Sequence, residues 1–291
     1  HRAVRPVRYP FAPGGIAGDS VWRRPRLRLL LGVRSLSLSM VDPAHPTVID
    51  PLSGACIFSN ETLPEELPSE PLSTLQAWMT EAASKGVQPN PNAMSLSTID
   101  PDGWPSARIV LCRKIDLERG FCVFYTNEQS RKGRAILANP RVAATFHWDH
   151  LDRQVRIEGL ATRSPAQESD AYFRSRPVLS RVAAWASNQS EPLESRELLL
   201  RQNEQAEARF GVAGRRAELE ALSRAASAGF DVPRPAHWGG FRIWISRCEL
   251  WRGHSARLHD RAVWTRTLTP ARIDDADGFV ASAWTSTRLQ P

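Results

Sequence analysis

The sequence predicts a mainly β protein with helices (α+β), its strands closing into a barrel or a strongly curled sheet. Three observations predict it. Short alternating strand patterns crowd residues 93–162, a helical stretch fills 165–210, and strand patterns return from Trp238 onward. The order β-rich, helical, β-rich implies one domain, residues 71–291, whose sheet is completed by C-terminal strands.

Residues 1–70 read as a basic leader and an extended Pro-rich arm, largely disordered. Residues 1–39 hold eight Arg and one acid, Asp19, the composition of a mitochondrial transit peptide. Their prolines break any amphipathic helix, which favours an upstream leader with Met40 as the functional start. A first helix is expected over Pro71–Ser84, with Leu72, Leu75, Trp78 and Met79 on one face and Gly86 ending it. Ala93–Ile99 alternates as a strand, Asp100-Pro-Asp-Gly103 turns the chain, and Ser106–Arg113 pairs back. Phe121–Thr126, Val142–Trp148 and Gln154–Thr162 are further strands, with a short helix at Ser130–Ala138. Helices follow at Pro165–Arg174, after Pro177 and at Leu193–Phe210, with residues 211–230 extending or appending a solvated helix. The closing strands are Trp238–Ile245, Glu249–Trp251, Leu258–Trp264 and, beyond a loop around Asp274–Gly278, Ala283–Leu289.

The net charge of +7 belongs to the leader: from Met40 onward basic and acidic residues number 30 each. The fold is formally neutral, so the high pI says nothing about its partners, and no nucleic-acid partner is expected. No apolar run reaches membrane-spanning length, so no membrane partner is expected. Four cysteines without a C-x-x-C pair read as reduced residues of a cytoplasmic protein, or a mitochondrial one if residues 1–39 are a transit peptide. Glycine-rich phosphate loops, H-E-x-x-H and G-x-S-x-G are absent. His147-Trp-Asp-His150 lacks a supporting Cys or carboxylate cluster, and no metal site is assigned. Any phosphate must therefore be held by side chains.

The densest chemistry lies in Trp251-Arg-Gly-His254-Ser-Ala-Arg257-Leu-His259-Asp-Arg261. Strand alternation would put Arg257, His259 and Arg261 on one face, with Gly253 allowing the bend before them. Such a row suits a planar anion, because guanidinium forks bind phosphate and stack on rings. Other candidates are Arg108, Tyr125-Thr126, Ser130-Arg-Lys132 at a helix start, Gln154, and Gln189-Ser190. Tyr172, Arg176 and Ser180 recur every four residues, although Pro177 implies a kink or a new helix start.

The C-terminal run, with its Trp-x-Gly and Arg-Leu-His-Asp-Arg, resembles the signature of pyridoxine (pyridoxamine) 5′-phosphate oxidases. Asn92-Ala-Met94, Pro105-Ser-Ala-Arg108, Phe124-Tyr-Thr-Asn127, Ser130-Arg-Lys132, Arg153–Gly159, Tyr172–Pro177, Trp238-Gly-Gly240 and Arg288-Leu-Gln-Pro291 are similar to that family in the same order. The resemblance implies an FMN-binding split β-barrel, homodimeric, with FMN at the subunit interface. Arg108, Ile109, Val110, Tyr125, Thr126, Arg131, Lys132, Gln154, Gln189, Ser190, Trp251 and Arg261 would hold FMN. Arg113, Tyr172, Arg176 and Ser180 would grip the substrate phosphate, and Arg257 and His259, the implied catalytic pair, would lie over the pyridine ring. The implied reaction oxidises pyridoxine 5′-phosphate and pyridoxamine 5′-phosphate with O2 to pyridoxal 5′-phosphate, releasing H2O2.

Departures mark this chain. Arg113 stands where the family usually has Lys, with Lys114 expected on the opposite face; Ala183 replaces a Gly; and the arm lacks a clear Arg-x-x-Tyr. They motivate a rival reading, a non-catalytic FMN- or pyridoxal-phosphate-binding carrier or sensor on the same barrel. Retention of Tyr172, Arg176, Ser180, Arg257 and His259 argues against it, since a pure FMN binder needs no second phosphate grip. A different flavin reductase is disfavoured by the same residues. The preference between the two substrates stays open at this level.

Overall fold

The computed structural model describes residues 61–222 and 229–291. The leader and most of the arm lie outside the described residues; residues 61–70 carry no helix or strand. Helix α1 (Leu72–Lys85) buries Leu72, Leu75, Trp78 and Ala82, the helical spacing expected, with Met79 half-buried beside them. The Glu70 carboxylate accepts the Leu72 and Ser73 N–H groups at 2.7 and 3.1 Å, and Gly86 at φ 63° ends the helix.

The antiparallel strands follow alternation closely at first. Strand β1 (Ala93–Ile99) buries Met94, Leu96 and Thr98, and pairs with β2 (Pro105–Leu111) across the Asp100–Gly103 turn. The expected Ser106–Arg113 strand breaks at Cys112, and a short β3 (Lys114–Asp116) pairs instead with β4 (Phe121–Asn127). Then come α2 (Arg131–Ala138), β5 (Arg141–Trp148) and β6 (Arg153–Arg163). Helices α3 (Ala166–Arg174), α4 (Val178–Ala186), α5 (Arg196–Arg209) and α6 (Arg216–Glu220) form a separate cluster around Phe173, Val182, Ala206 and Leu219. Helix α6 is all that forms of the helix expected over 211–230 among the described residues.

Strand β7 (Trp238–Arg252) is one fifteen-residue strand where two were expected, and it organises the sheet. Its first half pairs with β4 and its second half with β8 (Asp260–Thr265), while β6 runs along the other edge of both halves. The register with β6 slips between Glu158 and Gly159, and a Cβ on Gly159 would lie 2.0 Å from the Trp244 carbonyl oxygen. This bulge lets the sheet curl. The order is β11-β8-β7-β6-β5-β1-β2, with β11 (Thr285–Leu289) at one end and β4 and β3 joined to β7. The core lies inside the curl, where Val155, Ile157, Ile243, Leu250 and Trp264 meet α1.

The stretch expected as a loop around Asp274–Gly278 is a hairpin of β9 (Leu268–Ile273) and β10 (Ala276–Ala281). Asp274 and Asp275, at φ 54° and 60°, make its turn. Phe279 and Ile273 pack on Phe121 and Trp244, and Asp274 accepts from Arg119 and Arg242. Among the described residues, no helix is long and apolar enough to cross a membrane.

Candidate active site

A cleft of about 440 Å³ opens between β2, β4, the start of α2 and the α3–α4 pair, within the size range of small-molecule sites. One wall is aromatic. Tyr125 and Tyr172 stack with centroids 4.0 Å apart and planes 14° apart, and Trp238 lies nearly parallel to Tyr125 at 5.5 Å. Gly240 gives them room, since a Cβ there would meet Ser164 Oγ at 2.6 Å and Tyr125 Cε1 at 2.8 Å. Burial, and then Glu168, raise the Tyr125 phenol well above its ordinary range.

One corner is built on Lys132. Ser130 caps α2, accepting the Gly133 N–H at 3.3 Å, and so sets Lys132 in the first turn, where the helix favours an anion. The Lys132 amine donates to Gln189 Oε1 at 2.8 Å and to Ser130 Oγ at 3.2 Å, and Thr126 Oγ1 donates to the same glutamine oxygen at 3.1 Å. Burial, then the neighbouring Arg108 charge, pushes Lys132 down to about 8. Arg108 is occupied within its own sheet by Thr98 Oγ1 at 2.8 Å and the Leu96 carbonyl at 3.3 Å. Arg131 is held by Asp100, with Nε to Oδ2 at 2.8 Å. These two arginines back the corner without lining the cleft.

The opposite corner holds Arg113, Arg176 and Ser180. Arg176 lies 4.8 Å over the Trp238 ring, burial lowers its pKa, and its Nη1 is buried without a hydrogen-bond partner. A buried guanidinium N–H costs free energy until an acceptor reaches it. Arg113 lies 5.8 Å over the Tyr172 ring, while Lys114 turns away to Asp116 at 3.2 Å. Tyr172, Arg176 and Ser180 converge even though the helix breaks between them: α3 ends at Arg174 and Pro177 starts α4. Ile109 and Val110 complete the wall from β2; Ser190, at φ 76°, stays outside while Gln189 enters.

A second polar set sits on β6, β7 and β8. Gln154, Trp251 and Arg261 are direct cross-strand neighbours and share one sheet face, opposite the core row Val155, Leu250 and Ala262. His259 packs on Trp251 with centroids 4.7 Å apart. Its Nδ1 accepts the His254 backbone N–H at 3.2 Å, which leaves the neutral ring's hydrogen on Nε2. Nothing in this set lines the cleft. Trp251 lies twelve residues along β7 from Gly239, which pairs with Thr126; that is roughly 40 Å of strand.

Residues 79–210 match the family of pyridoxamine 5′-phosphate oxidase, and residues 238–291 match the pyridoxine 5′-phosphate oxidase C-terminal dimerisation region. The chain is 43% identical over 237 residues to the pyridoxine/pyridoxamine 5′-phosphate oxidase of Burkholderia multivorans, covering 80% of this chain and 95% of that one. With the protein of the same name from Rubrobacter xylanophilus, identity is 46% over 222 residues, covering 76% and 87%. The chain belongs to the pyridoxine/pyridoxamine 5′-phosphate oxidase family. Among solved structures it is similar to PhzG from Burkholderia lata 383, in complex with tetrahydrophenazine-1-carboxylic acid (TM-score 0.60, 30% identity, 77% of this chain and 94% of that one). A pyridoxamine 5′-phosphate oxidase-related, FMN-binding protein of Nostoc punctiforme shares the split-barrel fold (TM-score 0.52, 13% identity, 77% and 100%).

As a member of this oxidoreductase family, the chain carries Trp251, Arg257, His259 and Arg261 inside its dimerisation region. One expectation about them fails. Arg257, His259 and Arg261 do not share a strand face, because β8 begins only at Asp260. Residues 255–257 form a tight turn in which Ala256 and Arg257 take φ 55° and 62°, and Arg257 is exposed. Two left-handed non-glycine residues in a row cost on the order of 1–3 kcal/mol each. The turn, not Gly253, makes the bend. Gly253 is needed for space, since a Cβ would lie 1.8 Å from Asp152 Oδ2.

The cleft also contains residues outside the expected set, notably Trp238, Asn127 and Ser187. Trp238 had a signal in the Trp238-Gly-Gly240 motif, whose glycines admit close neighbours. Among the described residues no group of three or more His, Cys, Asp or Glu is placed to hold a metal ion.

Proposed function

We propose that this chain is a homodimeric, FMN-dependent oxidase that converts pyridoxine 5′-phosphate and pyridoxamine 5′-phosphate to pyridoxal 5′-phosphate, consuming O2 and releasing H2O2, with water consumed and ammonia released in addition when the amine is the substrate. The observation that carries this reading is the pair of cationic corners on one aromatic-walled cleft, Lys132 at one and Arg113 with Arg176 at the other. The residues fit an FMN phosphate at the first corner. Lys132, Thr126 and Gln189 converge there, Arg108 and Arg131 add positive charge, and the lowered Lys132 amine gains from an anion. Ile109, Val110 and Tyr125 offer the adjoining wall. The orphaned Nη1 of Arg176 fits a second phosphate, held with Arg113, Tyr172 and Ser180.

A second copy would bring the Gln154–Trp251–Arg261 row, Arg257 and His259 to this cleft and complete the site around FMN. When bound, FMN supplies the redox chemistry, taking a hydride equivalent from substrate C4′ and passing electrons to O2. The chain's part is positional: gripping the phosphate fixes where C4′ lies. Arg257 brings positive charge over the ring. His259, with its hydrogen on Nε2, donates a hydrogen bond there. The buried free thiols Cys112, Cys122 and Cys248 fit a reducing compartment, the cytoplasm.

FMN-saturated protein given either substrate and O2 is expected to form pyridoxal 5′-phosphate and H2O2 in equal amounts. An FMN-loaded protein that forms neither would support the carrier reading instead. FMN affinity should also depend on pH through Lys132. The free amine titrates near 8 and a bound phosphate raises that value, so binding above pH 8 takes up a proton. Affinity is expected to hold from about pH 7 to 8 and then fall by up to about tenfold per pH unit. Flavin-fluorescence titrations at pH 7.5 and 9 check this, and Lys132→Gln should flatten the profile.

A further inference from the structure

We infer that Glu249 is a positioning residue for the flavin site, acting through Arg261; the inference rests on the FMN reading above. Glu249 lies two residues before Trp251 on β7 and on the same sheet face, away from the core. Yet its side chain is only 4% exposed, because two guanidiniums cover it. Arg156 stands directly opposite on β6 and donates from Nη1 to Oε2 at 3.3 Å. Arg261 stands opposite Trp251 and reaches Glu249 diagonally, donating from Nε at 3.1 Å and Nη2 at 2.8 Å, both to Oε1. A further grip comes from the C-terminal segment, where the Gln290 carbonyl accepts from Arg261 Nη1 at 3.0 Å.

Three of the five guanidinium N–H groups are thus taken by the chain itself, and two are left for a ligand. The rotamer freedom of Arg261 is lost on folding, before any cofactor arrives, so binding does not bear that entropy. The carboxylate is needed in its charged form. Each oxygen faces a guanidinium, and an amide would turn its NH2 toward one of them. A neutral residue at 249 would therefore free Arg261 to swing away from Trp251 and from the row that meets FMN.

A simple staple between strands β6, β7 and β8 would look the same in the apoprotein, and a double-mutant cycle on FMN affinity separates the two roles. Full-length wild type, Glu249→Gln, Arg261→Gln and the double variant are titrated with FMN by fluorescence quenching, with melting followed alongside. We expect Glu249→Gln to weaken FMN binding about tenfold and Arg261→Gln by at least as much. The double variant should bind no more weakly than Arg261→Gln alone, since the carboxylate works only through that guanidinium. Losses that multiply in the double variant would overturn the inference. So would a Glu249→Gln protein that melts earlier but binds FMN like wild type. If Glu249→Gln does not fold, Glu249→Asp keeps the charge one methylene shorter and enters the same cycle with the same expected non-additivity. A wild type that takes up no FMN would instead overturn the cofactor reading beneath it.

Discussion

Replacing Arg176 by Leu is expected to lower kcat/KM for pyridoxine 5′-phosphate by about 10²- to 10³-fold and to leave FMN affinity within about twofold. The magnitude follows from what Arg176 offers. Its guanidinium is stacked on Trp238, and its buried Nη1 has no acceptor within the chain. Charge-assisted hydrogen bonds contribute about 1.5–3 kcal/mol each, so two bonds to one phosphate account for the loss. The phosphate is remote from C4′ and is gripped alike before and during reaction, so the change should fall mainly on KM. Arg176→Lys should lie between, since Lys keeps the charge and loses the fork. Steady-state kinetics with matched FMN loading measures all three. An unchanged KM would remove Arg176 from the substrate corner and, with it, the two-corner reading of the cleft. Stability gives an independent check. Arg176→Leu loses the stacking on Trp238 but also removes the unpartnered buried Nη1, so the melting temperature should change little, which separates lost grip from lost fold.

That cleft was partly legible in the sequence, Tyr172, Arg176 and Ser180 from their spacing and Arg113 only through the family resemblance. Arg113, Tyr172, Arg176 and Ser180 are spread over 68 residues, yet they meet because Pro177 restarts the helix without turning its face from the cleft. What spacing could not tell is which arginines are already occupied. Arg108 and Arg131 carry the same sequence weight as Arg176, but Thr98 and Asp100 already engage them. Fold showed the same division. Strands β1, β5 and β6 alternate cleanly because one face is core, so period two marks them. The β9–β10 hairpin escaped because Pro270 and polar residues dilute its pattern; it is held by Asp274 on Arg119 and Arg242, a tertiary contact no local window contains. The left-handed pair at Ala256 and Arg257 is likewise silent in sequence, since neither residue favours positive φ. Strand alternation was therefore applied across a turn. Glu249 left no signal either, because a glutamate in a strand is ordinary until two guanidiniums bury it.

Mixing two impaired variants should restore activity, read at a pyridoxine 5′-phosphate concentration well below the raised KM of Arg176→Leu. Arg176→Leu removes a group from the cleft, whereas Arg257→Ala removes one from the dimerisation region, and in one chain Arg257 does not reach the cleft. If each site joins the cleft of one protomer to the signature edge of its partner, a heterodimer of the two variants concentrates both substitutions in one site. The other site is then wild type. Random assortment makes half of the dimers mixed, so about a quarter of all sites become intact, and activity should rise from near zero to about a quarter of the wild-type value. Co-expression with two different tags, followed by purification through both, should raise this to about half. FMN content must match between the parent variants, because neither residue is asked to hold the cofactor. If both residues instead served the same protomer's site, every site in a heterodimer would carry one defect, and mixing would recover nothing. The outcome therefore decides whether roughly 40 Å of strand between the two residue sets is bridged by a second copy or folded back within one chain. The register supports the second copy, since β7 is paired continuously with β6 from Phe241 to Arg252, broken only at the single slip by Gly159.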